Sequence, residues 1–154
     1  MYYVNRGQIE RILRQIPDIA DGLRMAASSW DGGTVWGMVQ ERCLHLAIEV
    51  VTDAGSCLID GFIMRDAGSY EDIVTIIYEE SVFRDQEMYD RLIELVSLRK
   101  PLVQEYYDWE RGRLHPLTAV LPELLMRFAS EIQDYLNREL EIARPVREAP
   151  PKPV

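Results

Sequence analysis

The feature that most constrains the fold is helical spacing: apolar residues recur every three or four positions along almost the whole chain. No segment alternates apolar and polar residues for long enough to predict a strand. The sequence therefore predicts an all-α protein. Five helices are expected. The first starts near Asn5, is kinked by Pro17 and ends before the break at Asp31-Gly-Gly, and a long second one covers about 34–64. A short third helix opens at Ser69, a fourth covers about 85–109 with a kink or break at Pro101, and a fifth covers about 116–142. The second and fifth should be the longest.

Length and charge narrow the class of protein. The 154 residues fit one domain, which we place at 1–142, and the proline-rich segment 143–154 is expected to be a disordered tail. The formal net charge of -9 disfavours broad electrostatic binding to nucleic acid or to an anionic membrane. No apolar run approaches the roughly 18 residues that span a bilayer. We expect a cytoplasmic protein with no membrane partner.

The two cysteines, Cys43 and Cys57, fall in the second predicted helix. Fourteen residues of helix separate them by about 21 Å, whereas a disulfide needs Cα atoms within about 7 Å. They cannot bridge within one chain. Two thiols suit a reducing compartment, and they are too few for a closed zinc site.

The second helix is apolar around most of its circumference, so a narrow polar strip must find partners or water. Three interpretations stay open: a solvated groove neutralised by arginines, a functional cleft, or an interface between two protomers. The i+4 spacing within the strip also resembles a metal face, but no second helix supplies a matching Glu and His pair. We favour an ion-paired strip and predict no metal and no cofactor. The spaced residues are Glu41, His45, Glu49 and Asp53.

Few residues elsewhere point to chemistry. The chain has no P-loop, no GxGxxG, no nucleophile elbow and no HExxH. His115 precedes Pro116 at a helix entrance, where capping or exposure is expected. A kink at Pro101 would aim Arg99 into a cleft, although a helix with arginine and tyrosine is more often a partner surface or a core edge.

The segment around Pro101 resembles a known motif. Arg99-Lys-Pro-Leu-Val-Gln104-Glu-Tyr106 is similar to the Arg-Asn-x-Leu-Val-His-x-Tyr motif of the HepT-like proteins, all-α ribonuclease toxins of the HEPN superfamily. The stretch IDGFIMRDAGSYEDI, residues 59–73, and the opening MYYV resemble more specifically the uncharacterised YutE-like subgroup. The resemblance covers nearly the whole chain apart from the tail.

The resemblance implies an antiparallel HEPN-like helical bundle that forms a homodimer, with two motifs in a shared RNA cleft. It implies metal-independent cleavage, in which a histidine moves a proton and an arginine stabilises charge on the phosphate. In such toxin-antitoxin pairs the partner is a minimal nucleotidyltransferase that transfers AMP to the motif tyrosine. Arg99 matches the family arginine and Tyr106 the AMP-accepting tyrosine, and Arg99 and Lys100 would contact RNA.

Two positions depart from the motif: Lys100 replaces asparagine, and Gln104 replaces histidine. Glutamine exchanges no proton near pH 7, and loss of that role removes a factor of about 10² to 10⁴ in rate. Glu105, Tyr106 or His45 could substitute in principle. We expect slow or absent cleavage. A catalytically silent bundle that binds or regulates a partner is the alternative.

One further expectation concerns the surroundings of the motif. A half-buried guanidinium without a partner is costly, so we expect Arg99 to lie near Tyr106 in a partly exposed cleft and to pair with Glu49 or Asp53 of the second helix. These carboxylates and His45 would then support the catalytic residues Arg99, Gln104 and Tyr106.

Overall fold

The structure is a computed structural model that describes residues 2–142, and the side chains up to residue 140. Segment 143–154, for which the sequence predicts a disordered tail, lies outside the described residues. Within them every regular element is a helix, which confirms the all-α prediction. The α-helices are α1 (Arg6–Leu13), α2 (Ile16–Ser29), α3 (Thr34–Gly61), α4 (Tyr70–Glu79), α5 (Gln86–Ser97) and α6 (Leu117–Ile142).

The first predicted helix is divided into α1 and α2. Asn5 caps α1 by accepting a hydrogen bond from the backbone N–H of Gln8 at 3.0 Å. The chain breaks at Arg14 and Gln15, and Pro17 then stands in the first turn of α2, where the missing backbone N–H leaves no helical bond unmade. The expectation of one helix kinked by Pro17 was therefore wrong.

The centre of the bundle is α3, which packs against α1, α2, α4, α5 and α6. It has 28 residues and α6 has 26, so the two helices predicted to be longest are the longest of those described. The large side chains of one continuous core meet around α3 and exclude water. Fully buried members include Leu44, Ile48, Leu58, Phe83, Met88, Leu92 and Phe128.

The predicted break at Pro101 is present. The helix α5 ends at Ser97, the residue whose carbonyl a proline ring at position 101 would meet in a continuing α-helix. A π-helical turn (Lys100–Gln104) and a 3-10 helix (Tyr106–Asp108) follow. The stretch predicted as one helix over about 85–109, kinked or broken at Pro101, is thus α-helical to Ser97, and π-helical and 3-10 helical pieces replace the α-helix beyond the break. Irregular chain then leads to α6.

None of the described helices is both long enough and apolar enough to cross a bilayer.

Candidate functional site

The π turn sets the directions of the motif side chains. The backbone N–H of Glu105 donates to the carbonyl of Lys100 at 2.8 Å, which is the i to i+5 bond of a π-helix. In an α-helix two residues five positions apart point about 140° away from each other. The wider π turn reduces that angle for the bonded pair, Lys100 and Glu105. Single π turns are frequent at functional sites.

Arg99 is half-buried and rests on an aromatic ring. Its guanidinium carbon lies 4.2 Å from the centroid of the Tyr70 ring, at the start of α4. Its Nε is buried and has no hydrogen-bond partner. Among the described residues no carboxylate forms an ion pair with this guanidinium, so the expected pair with Glu49 or Asp53 is not formed. The Tyr70 ring replaces it, because a cation over an aromatic face is stabilised without a counter-charge.

The other motif side chains point outward. Lys100 and Gln104 are exposed, and Tyr106 is 64% exposed with its ring edge-on to that of Tyr107 at 5.5 Å. No hydrogen bond or cation–π contact within the described chain joins Tyr106 to Arg99. The segment therefore offers a free phenol, a free amide and an ammonium group beside the stacked arginine.

The polar strip on α3 is partly neutralised, as the ion-paired interpretation predicts. Glu41 accepts two hydrogen bonds from Arg111, at 2.6 and 3.0 Å. Nε2 of His45 lies 3.5 Å from an oxygen of Glu49, and both side chains are half-buried. Burial raises the pKa of Asp53, and the nearby Glu49 charge raises it further. Residues 2–142 contain no group of three His, Cys, Asp or Glu side chains that could hold a metal ion.

A groove with a volume of about 350 Å³ opens next to the π turn, between this turn and the start of α6. We call it the π-turn groove. Its lining combines carboxylates, an arginine, two prolines and two aromatic rings. The lining residues are Pro101, Glu105, Asp108, Trp109, Glu110, Arg113, His115 and Pro116.

His115 caps α6, as the sequence led us to expect. Its Nδ1 accepts a hydrogen bond from the backbone N–H of Leu117 at 3.1 Å, so in the neutral ring the proton resides on Nε2. Burial lowers the pKa of His115 and is the largest effect. The negative charge of Glu94 raises this pKa by less, and the positive charge of Arg113 lowers it again. The imidazole is therefore neutral at pH 7.

One buried glutamine fixes the outer wall of the groove. Gln40 of α3 is fully buried, and its Oε1 accepts from the backbone N–H of His115 at 2.8 Å and from the hydroxyl of Thr118 at 2.6 Å. Its Nε2 donates to the carbonyl of Arg113 at 3.1 Å. These bonds satisfy a buried amide and hold segment 113–116, which has no regular secondary structure, together with the first turn of α6.

Three residues important for this site carried no clear signal in the sequence. Tyr70 follows a helix cap, Gln40 stands within an apolar helix, and Trp109 lies in an irregular segment. Tyr70 and Gln40 acquire their roles through contacts distant in sequence, to Arg99 and His115. Trp109 lines the groove and stacks on His115, six residues further along the chain. In the sequence, Pro101 is the residue that predicted an irregular backbone at this site.

An all-α bundle with an arginine and a tyrosine around a broken helix is the arrangement that the HepT-like motif implies. The chain matches the family described as "Ribonuclease HepT-like" over residues 9–132, and it belongs to this family. It is similar to the Bacillus subtilis (strain 168) protein named "Putative RNase YutE", with 37% identity over 145 residues that cover 91% of this chain and 95% of that protein.

A solved structure is also similar to this chain in sequence and in fold. It is described as that of YutE from Bacillus subtilis, a cytosolic protein of unknown function. The two chains are 37% identical and superpose with a TM-score of 0.78 over 91% of this chain and 96% of the other. The HepT-like, YutE-like resemblance found in the sequence is confirmed.

Proposed function

We propose that this HepT-like protein is a metal-independent, ribonuclease-type RNA-binding protein whose cleavage activity is weak or lost because Gln104 replaces the motif histidine. One observation carries the proposal: the guanidinium of Arg99 is positioned on Tyr70 and no described carboxylate neutralises it. A preorganised, unneutralised cation is what a phosphodiester needs as negative charge develops on its oxygens.

Three residues of the motif have different proposed roles. Arg99 holds the phosphate and stabilises the charge of the transition state, and Lys100 adds a second positive charge beside it. Gln104 donates and accepts hydrogen bonds and so orients the RNA, but it moves no proton. The wild-type protein is therefore expected to cleave RNA slowly or not at all.

The proposal extends to partners. We expect a homodimer, with α3 and the π turn at or beside the interface, that places two motifs in one cleft. A nucleotidyltransferase antitoxin would modify Tyr106 with AMP, and the 64% exposure of this phenol supports access by a second protein. The protein would act in the cytoplasm, in keeping with the relative described as cytosolic.

The second candidate function is that of a silent bundle that binds or regulates a partner without cleaving RNA. Gln104 favours it, since the residue at the histidine position is exposed and has no acid–base chemistry near pH 7. The formal charge of -9 also favours a protein partner over extended contact with a polyanion.

The test is to restore the histidine. Gln104→His should accelerate cleavage of a single-stranded oligoribonucleotide in the presence of EDTA by about 10² to 10⁴ relative to the wild type. Gln104→Asn is the matched control, since it keeps an amide and should give no gain. A sizing column should show that neither substitution changes the oligomeric state. No cleavage by either Gln104→His or the wild type, together with tight binding of a protein partner, would favour the silent bundle.

A further inference from the structure

The π-turn groove is lined by two residues of the motif and by residues that follow it in the chain. Glu105, which follows Gln104, is half-buried in its wall, and no described cation forms an ion pair with this carboxylate. Pro101 within the π turn forms another part of the lining. An RNA whose phosphate reaches Arg99 would thus pass close to this concave surface.

The charge of the groove decides what it can accept. Three carboxylates line it, from Glu105, Asp108 and Glu110. The one lining guanidinium, Arg113, lies 3.6 Å from an oxygen of Glu110, and the neighbouring imidazole of His115 is neutral at pH 7. The groove is therefore net negative. It repels a phosphate and suits an uncharged group that presents N–H donors.

The aromatic rings of the groove suit a planar ligand. Trp109 and His115 are nearly parallel, with 20° between their planes and 6.1 Å between their centroids. Bases of single-stranded RNA are held by stacking on such rings. The indole N–H of Trp109 is buried and has no hydrogen-bond acceptor among the described residues, which is unfavourable.

We propose that the π-turn groove binds an unpaired guanine base of the RNA, with the Glu105 carboxylate reading its base-pairing edge. The inference rests on the proposed function, since the base belongs to the strand whose phosphate Arg99 holds. Guanine is the common base with two adjacent donors on this edge, the ring N1–H and the exocyclic amine, which match the two oxygens of a carboxylate. Adenine offers one donor beside an acceptor, and the acceptor faces a carboxylate oxygen unfavourably.

The experiment compares two dinucleotides, GpU and ApU, both methylated at the 2′-oxygens so that they cannot be cleaved. Binding to the full-length ¹⁵N-labelled protein is followed by NMR through the Trp109 indole N–H signal, assigned with Trp109→Phe. GpU should bind about tenfold more tightly than ApU and should shift this signal. Glu105→Gln should remove most of the preference, while Glu123→Gln, the same change at an exposed glutamate of α6 that does not line the groove, should keep it.

Equal binding of GpU and ApU, or a guanine preference that survives Glu105→Gln, would overturn the inference. Guanosine without phosphate separates this inference from the proposed function. If guanosine shifts the Trp109 signal but Arg99→Ala does not weaken GpU binding, the groove is supported and the phosphate role of Arg99 fails. If a longer RNA binds in an Arg99-dependent manner while guanosine and GpU leave Trp109 unperturbed, the groove inference fails and the proposed function stands.

Discussion

Two arginines next to α4, Arg65 in the turn before it and Arg99 beside its first residue, are used in opposite ways. Arg65 donates to both carboxylate oxygens of Asp72 at 2.8 Å and to Glu79 at 3.2 Å. These bonds lower the pKa of Asp72 to about 2 and raise that of Arg65 above its usual value. Both terminal nitrogens of the guanidinium are engaged in closing the α3–α4 turn.

Arg99 has a position but no counter-charge. The Tyr70 ring fixes it at 4.2 Å, and its Nε is buried without a hydrogen-bond partner. An arginine paired with two carboxylates has its charge neutralised and few donors left for a ligand, whereas one held by an aromatic face keeps its charge and most of its donors available. The difference separates an arginine that stabilises the fold from one that is prepared to bind an anion.

The largest effect is expected when Arg99 and Arg65 are compared in an RNA cleavage assay. In the Gln104→His background, Arg99→Ala should lower RNA cleavage by about 10² to 10³, because the cation that stabilises the transition-state phosphate is lost. Arg65→Ala in the same background should leave the cleavage rate within about twofold, since Arg65 is committed to the turn. Both double variants should be assayed with EDTA at equal protein concentration. A similar loss from both arginines would remove the distinction.

A smaller effect is expected from the aromatic support. Tyr70→Ala removes the surface under the guanidinium and should lower cleavage in the Gln104→His background by about tenfold, in line with a cation–π contact of about 1 kcal/mol and the freedom that Arg99 gains. Tyr70→Phe keeps the ring and should stay near the parent rate. Measured kcat values that are equal for the alanine and phenylalanine variants would show that the ring does not position Arg99.

The sequence predicted the helices and their ends better than it predicted the contacts of the candidate site. Helical spacing predicted the fold class, and Pro101 predicted where α5 stops, because both depend on local rules of backbone geometry. The start of α4 was also foreseen from Ser69, which accepts a hydrogen bond from the N–H of Asp72 at 3.0 Å. The Arg14–Gln15 break was missed, since Pro17 fits a first helical turn as well as it fits a kink.

The candidate site was harder to predict, because its contacts link residues distant in sequence. Charge pairing alone suggested that Glu49 or Asp53 would neutralise Arg99, but the α4 residue that lies against it is an aromatic one, Tyr70. The groove could not be predicted without knowing where Gln40 lies, because its hydrogen bonds to segment 113–118 join residues more than 70 positions apart. The family motif located Arg99, Gln104 and Tyr106, and their catalytic roles stay predictions.

The smallest effect concerns the paired arginine and acid. The pKa of Asp72 is lowered from 3.8 to about 2 in the folded protein, so this pair stabilises the fold above pH 3.8, and the contribution is lost as the pH falls toward 2. Asp72→Asn should therefore show a slightly lower Tm at pH 7 and a shallower loss of Tm between about pH 4 and pH 2 than the wild type. Circular dichroism melts across this range give the comparison. Identical acid profiles would mean that the pair does not form in solution.

RNA binding by the wild-type protein, Arg99→Ala and Arg65→Ala tests the central claim most directly, because it does not depend on the missing histidine. The measurement is the fluorescence anisotropy of a labelled single-stranded oligoribonucleotide at about 0.15 M salt, where long-range charge effects are screened beyond about 8 Å. We predict that Arg99→Ala raises Kd by about tenfold or more, through loss of charge-assisted hydrogen bonds to phosphate, and that Arg65→Ala leaves Kd unchanged. Equal weakening by both substitutions, or no weakening by Arg99→Ala, would contradict the account.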